Sequence, residues 1–377
     1  MRYSFLLLVC CVPTLNAQST PVNNPDPNLP YQAGRSNPVT YDVDYSVIVT
    51  APYHTKKLRV WMPIPQSDRA QTILKSELST FPVEVKPSIG TEKTYGNRLA
   101  FFEFVNPQGA QIVRHRFRAR VYEMRWNLNL SKVRTVKKWP SSFTPYLRSD
   151  QVLVVDEDLR RELSHIVGKD DDRAVKMRSV MKWTMDHLIY DHANASLRAS
   201  SKHALKWRRG HCSDYHGVCA AFGRAIGAPT RVTYGLHLFP KSSPSHCKLE
   251  VFLLPYGWVS FDVSETQKLM HRISQASTLN AAEKKQLIEA ALRRTEKGFR
   301  DNTWLMCTKG TDLQLVPPAK KRAPVIRTIY AEADGVALPD PDPSNPNEVK
   351  HAWMTAIKIV PDRKVNFPYK DWQPLKK

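Results

Sequence analysis

Cys212, His246 and Asp262 are of the types that a thiol nucleophile, a base and an orienting carboxylate require. Cys212 stands in the run Gly210-His211-Cys212-Ser213-Asp214-Tyr215-His216. After it, Cys219, Phe222 and Ile226 recur at helical spacing. Gly227 sits where such a helix stops, and Pro229 prevents its continuation. This spacing predicts Cys212 in the first turn of a helix, where unpaired backbone N–H groups and the helix dipole favour an anion. That setting lowers a thiol pKa and makes a thiolate nucleophile.

The base and its partner must come from elements that face each other. His246 opens an alternating apolar stretch to Leu254, Pro255-Tyr256-Gly257 is a turn, and Trp258 to Val263 reads as the return strand. A loop from Leu253 to Gly257 sets Phe252 opposite Trp258 and Asp262 opposite Lys248. Lys248 is two residues from His246 and on the same side of the ribbon, so Asp262 is a diagonal neighbour within side-chain reach of His246.

The remaining elements follow from periodicity and punctuation. Residues 18–39 are rich in Pro, Asn and Ser and read as a flexible leader. Tyr41 to Val47, Leu58 to Met62, Leu99 to Val105 and Ile112 to Tyr122 read as short strands of a β-sandwich domain over 40–126, with no catalytic constellation. A connector follows. Asp156 or Glu157 opens one helix toward Gly168, and Asp171 or Asp172 opens a second. Met177, Val180, Met181, Met185 and Leu188 share a face of the second, a stripe that reads as core. Tyr190-Asp191 ends it, and a loop containing Trp207 leads to the cysteine helix. Pro229 to Phe239 is a strand, Ala281 to Lys297 an amphipathic helix and Ile326 to Glu332 a strand. Asp340 to Pro346 is a Pro/Asp linker, so 127–340 forms the second domain and 341–377 a C-terminal tail.

Composition sets the outer limits. The chain has 377 residues, 42% of them hydrophobic, enough for two globular domains. Residues 1–17 have the charge, short apolar core and small-residue end of a signal peptide. No apolar run reaches transmembrane length, so an exported protein, periplasmic or extracellular, is expected. Cys10 and Cys11 leave with the signal; Cys212, Cys219, Cys247 and Cys307 remain. Cys212 and Cys219 are two helical turns apart, too far for a disulfide. The formal net charge of +21 suits anionic envelope polymers as partners, but the cations are scattered and no nucleic-acid motif accompanies them.

The cysteine run, Phe222, Arg224-Ala225-Ile226-Gly227-Ala228-Pro229-Thr230-Arg231 and Gly235 together resemble the transglutaminase-like superfamily, and more narrowly its exported bacterial branch. His246-Cys247 and Gly257-Trp258-Val259-Ser260-Phe261-Asp262-Val263-Ser264-Glu265 match the later motifs in order. Lys309-Gly310-Thr311-Asp312-Leu313 and Tyr330 to Gly335 resemble the motifs that close such domains. The resemblance implies an α+β fold: a papain-like transglutaminase core preceded by an antiparallel β-sandwich. It implies a Cys-His-Asp triad, with Cys212 the nucleophile, His246 the base and Asp262 its orienter. The first N–H groups of the cysteine helix would then form part of an oxyanion hole. Lys248 stands where the pattern has Trp, Ala228 where it has Ile and Thr230 where it has Ala.

The implied activity is thiol acyl transfer on peptide or amide bonds, with a peptide or protein substrate and no cofactor. Hydrolysis by a peptidase or amidase is preferred to transglutaminase crosslinking, since no calcium-loop pattern occurs. Two other classes compete. A metal protein would draw on His211, Cys212, His216, His246 and Cys247, but lacks paired ligand spacing. A non-catalytic binding module would rest on basic charge and the sandwich. His216 is either a neighbour of the nucleophile or a core histidine, and Asp214 caps the helix. Tyr190 and Trp207 are both candidates for a side-chain oxyanion donor. His351-Ala352-Trp353 resembles the His-Ala-Trp of other relatives, but no Gly-Trp and Asp follow it.

Overall fold

A computed structural model describes residues 24–168, 172–240, 244–339 and 353–376. In chain order the strands of the N-terminal half are β1 (Gly34–Thr50), β2 (Lys57–Pro63), β3 (Gln71–Phe81), β4 (Ser88–Thr91), β5 (Arg98–Val105) and β6 (Ala110–Arg125). Then come α1 (Thr144–Leu147), α2 (Glu157–Ile166), α3 (Arg173–His187), β7 (Ile189–Tyr190), α4 (Ser201–Trp207), β8 (Arg209–Gly210) and α5 (Cys212–Ile226). β9 (Thr230–His237), β10 (Ser245–Leu253), β11 (Gly257–Phe261), α6 (Val263–Gln275), α7 (Ala281–Glu296), β12 (Phe299–Arg300) and β13 (Trp304–Lys309) follow. The chain closes with β14 (Tyr330–Ala333), β15 (Val336–Ala337) and β16 (Trp353–Pro361).

The fold is mixed α and β with antiparallel main sheets, as the sequence implies. One sheet runs β12-β6-β1-β16, with β3 also on β6; a second runs β15-β14-β2-β5-β4. Alternation along β1 and β6 turns Val43, Val47, Val113 and Phe117 inward, onto Val60 and Phe102 of the second sheet. A third sheet, β11-β10-β9-β13, carries α5 across β10 and β9. Leu236 and Leu305 of that sheet enter the sandwich core and join the two parts of the molecule.

The helices begin where polar side chains cap them. Asp156 accepts from Leu159 N–H, and Asp172 from Ala174 and Val175 N–H. Met177, Met181 and Met185 of α3 are buried, each contributing roughly 1.5–3 kcal/mol. Helix α3 ends at His187, before the expected Tyr190-Asp191, because the chain turns into β7.

Several elements differ from the sequence reading. Helix α4 occupies the expected loop around Trp207, its N-cap Ser200 accepting from His203 N–H at 3.2 Å. The return strand β11 stops at Phe261, and α6 starts one residue after Asp262. Strands β3 and β4 were not anticipated, and β14 is shorter than the expected Ile326–Glu332. The segment expected as a tail over 341–377 contains β16, which pairs with β1 from Tyr41↔Pro361 to Val49↔Trp353. The pairing covers an edge of β1 that would otherwise present unpaired backbone groups. β12 and β14 likewise extend β6 and β2, so ladders cross the expected boundaries at 126 and 340. The signal peptide, residues 18–23 of the leader, the Pro/Asp linker and His351 lie outside the described residues. The rest of the expected flexible leader is packed instead: Tyr31 and Ala33 are buried, the Tyr31 hydroxyl donates to Glu250 at 2.6 Å, and β1 begins at Gly34. Trp353, two residues after His351, is buried in the sandwich.

Candidate functional site

Helix α5 starts at Cys212. His211 is its N-cap: the His211 ring accepts from Ser213 N–H at 3.3 Å, and the Asp214 carboxylate accepts from His211 N–H at 3.2 Å. The reciprocal pair is a capping box, so Asp214 has the capping role expected of it. Gly210 has φ 155° and no room for a side chain: a Cβ there would come within 2.4 Å of Asp214 Oδ2. The glycine lets the chain enter the helix tightly enough to present Cys212 at its first turn.

His246 and Asp262 come from β10 and from the end of its hairpin. The register is the expected one, with Phe252↔Trp258 and Leu249↔Phe261. Asp262 is also the N-cap of α6, accepting from Glu265 N–H through Oδ1 at 3.1 Å. Its other oxygen, Oδ2, accepts from His246 Nε2–H at 2.7 Å. That bond leaves Nδ1 as the ring nitrogen able to serve Cys212. The ring is held further by His237, stacked on it at 4.4 Å with planes 17° apart. Trp304 Nε1 donates to the His246 carbonyl at 3.2 Å and fixes the backbone. Gly235 permits β13 to come this close, since a Cβ there would lie 1.9 Å from Leu305 O.

The site favours a thiolate–imidazolium pair. The Cys212 thiol is held well below its ordinary pKa, first by hydrogen bonding from Cys247, against burial, and then by the charges of His246 and His211. Burial alone would depress His246, but Asp262 and Cys212 raise it to about 9. Burial, and then neighbouring Cys212, keep Cys247 protonated well above the usual thiol range. Cys219 and Cys307 are pushed up to about 12, chiefly by burial. The four cysteines among the described residues are free thiols.

Two groups tie the triad residues to their surroundings: His216, for which the sequence left two readings, and Lys248, whose role sequence reasoning missed. Buried His216 accepts from Val263 N–H through Nε2 at 3.1 Å, so its Nδ1 carries the proton toward Cys247 Sγ at 3.3 Å. Burial lowers its pKa to about 4, which keeps the ring neutral. Lys248, the residue in place of the pattern's Trp, is buried with Nζ 2.6 Å from Asp262 Oδ2 and 2.9 Å from Asp301 Oδ2. The hairpin register that set Lys248 opposite Asp262 was the available signal for this pair. Burial opposes the charge of Lys248, but the two carboxylates raise its pKa. Burial opposes ionisation of Asp262 too, yet Lys248 and His246 hold it well below the carboxylate range.

Of the two candidate oxyanion donors, Tyr190 lies with its hydroxyl by the Cys212 N–H and is half-buried. Trp207 is 56% exposed and stacks against Lys206. Among the described residues, the metal-capable donors that gather are His237, His246 and Glu265, a different set from the expected His211, Cys212, His216, His246 and Cys247. His246 Nε2 in this group is already bonded to Asp262 at 2.7 Å.

Residues 161–263 match the model of the transglutaminase-like superfamily core, a span that includes Cys212, His246 and Asp262. The chain carries a transglutaminase-like core domain. An uncharacterised protein of Haemophilus influenzae is 23% identical over 230 residues, 53% of this chain and 58% of that protein. The chain thus spans little more than half the length of that relative. A solved structure of a candidate cysteine protease from Cytophaga hutchinsonii has a TM-score of 0.61 at 12% identity, covering 89% of this chain and 94% of that one. At this identity the likeness is one of fold. The periplasmic domain of TgpA from Pseudomonas aeruginosa is more distant: TM-score 0.33, 12% identity, 63% of this chain and 91% of that one. No described helix is long and apolar enough to cross a membrane.

Proposed function

We propose that the protein is an exported thiol acyl-transfer enzyme that hydrolyses peptide or amide bonds, using Cys212, His246 and Asp262. The observation that carries this reading is the 2.7 Å bond from His246 Nε2 to Asp262 Oδ2, made by a histidine that lies against a cysteine at a helix N-terminus. The Cys212 thiolate attacks the carbonyl carbon of a bound amide. The tetrahedral oxyanion is met by the Cys212 N–H and the Tyr190 hydroxyl. His246 gives its proton to the leaving nitrogen, the C–N bond breaks and a thioester remains. Water then attacks the thioester, His246 takes its proton, and the acid product and thiolate separate. Asp262 keeps the imidazole oriented and supports its charged form.

A lysine amine in place of that water would make the same acyl-enzyme a crosslinker. The alternative of a non-catalytic envelope module predicts that Cys212→Ala leaves every property intact. The test is incubation with a peptide library, with and without an added primary amine, and mass analysis of the products. Cleaved peptides that depend on Cys212 support hydrolysis. Amine adducts in their place would show crosslinking, and no product of either kind would sink the enzymatic reading.

A further inference from the structure

A cavity of about 870 Å³ lies between α7, the end of β6 and the segment after β16. Seven cationic side chains line it: Arg125, Arg293, Arg294, Lys297, Arg363, Lys364 and Lys376. Glu123 is its one carboxylate, and it is already paired with Arg125 at 2.6 Å. Arg293, Arg363 and Lys376 have only long ion pairs, with Glu289 at 3.5 Å, Asp362 at 3.5 Å and Glu283 at 3.8 Å. So many like charges on three separate elements repel one another unless an anion sits among them.

Arg294 adds a second, independent observation. Its guanidinium is held between the rings of Phe299 and Tyr369, at 4.9 and 4.7 Å from their centroids. Its Nε and Nη2 are buried with no hydrogen-bond partner among the described residues. An arginine fork oriented by two rings with unsatisfied donors matches the bidentate geometry of an oxyanion. Phe299 also carries Arg125 at 4.8 Å, so the aromatic faces are occupied by guanidinium groups and cannot serve as stacking platforms for bases.

We infer that this cavity is a binding site for a linear polyanion with repeating phosphate groups and no bases, seated on Arg294, Lys297 and Lys364. Each internal phosphate of such a chain carries one charge and two free oxygens close to its neighbours, so a short run of them can face cations on several elements at once. One isolated phosphate would engage a single fork and leave the rest of the cavity unneutralised.

The test is calorimetric titration of the full chain with sodium tripolyphosphate, at low and at physiological salt. Orthophosphate, a polyglutamate and a single-stranded oligonucleotide serve as comparison probes. Tripolyphosphate should bind more tightly than orthophosphate, and less tightly as salt rises. Lys297→Gln with Lys364→Gln, both exposed, should weaken binding by about tenfold or more, as should Arg294→Gln. Lys56→Gln with Lys137→Gln, which removes equal charge elsewhere, should leave binding unchanged. Equal effects of the cavity pair and the control pair would overturn the site, and so would orthophosphate binding as tightly as tripolyphosphate. Preference for polyglutamate or the oligonucleotide would overturn the ligand class. The exposed lysine pair keeps the test decisive if Arg294→Gln does not fold.

Discussion

Lys248 Nζ lies 2.6 Å from Asp262 Oδ2, the same oxygen that accepts the His246 Nε2–H bond at 2.7 Å. Asp262 therefore faces two cations, and Lys248 faces a second carboxylate, Asp301. Lys248→Met would leave two buried carboxylates without their shared counter-charge, at a cost of about 3–5 kcal/mol. It would also give Asp262 wholly to His246 and move the alkaline limit of activity upward. Denaturant melts and a pH–rate profile check both. A variant of native stability with an unmoved profile would show the lysine to be a bystander.

The state of the triad sets the pH dependence. A thiolate–imidazolium pair exists above the depressed Cys212 pKa and below that of His246, about 9. Turnover should therefore fall on the alkaline side near pH 9, as an apparent constant of the coupled pair. For stability the sign is the reverse of a histidine's ordinary loss on burial. The raised His246 contributes stability that is present below its unfolded value and lost as pH rises through about 9. Asp262 and Asp301, both lowered, contribute above the ordinary carboxylate value and lose that contribution in acid.

Removing the base is the more costly change. His246→Ala should reduce turnover by about 10²–10⁴, the usual contribution of general acid–base catalysis. Asp262→Ala should cost as much or less, and the double variant should cost no more than the larger single effect, since the two act as a unit. Steady-state kinetics on a cleaved peptide would measure this, and additive losses would contradict a joint role.

A shorter relay runs on the far side of the thiol, from neutral His216 through Cys247 to Cys212. Cys247→Ala removes the group that stabilises the thiolate most. The pH midpoint for Cys212 alkylation should rise, with the fold retained. An unchanged midpoint would assign the depression to His246 and the helix terminus alone.

Tyr190→Phe removes the hydroxyl beside the Cys212 N–H. If it meets the oxyanion, kcat should drop by up to about 10²–10³ while Cys212 still alkylates normally. Loss of alkylation along with turnover would instead mean that Tyr190 shapes the resting thiol.

The hairpin was legible because a period of two and a five-residue loop fix which side chains oppose one another, and Phe252↔Trp258 is the pair found. Helix α5 was legible from the helical spacing of Cys219, Phe222 and Ile226, closed by Gly227 and Pro229. Helix α6 was hidden because Trp258 to Val263 reads as strand, although Asp262 and Glu265 already had the spacing of a capped N-terminus. Lys248 looked like a departure from a pattern, because sequence does not show that a lysine is buried between two carboxylates. β16 escaped for another reason. Its partner β1 lies at the other end of the chain, and strand pairing at that distance leaves no local signal.

The central claim, that Cys212 is a thiolate activated by His246, is tested most directly by its rate of alkylation with iodoacetamide against pH. Peptide mass analysis would separate it from Cys219, Cys247 and Cys307, whose thiols are all pushed upward by burial. Cys212 should react first, and its rate should persist well below pH ~8.5, the ordinary thiol value. Reaction of all four cysteines together, and only in alkaline solution, would contradict it.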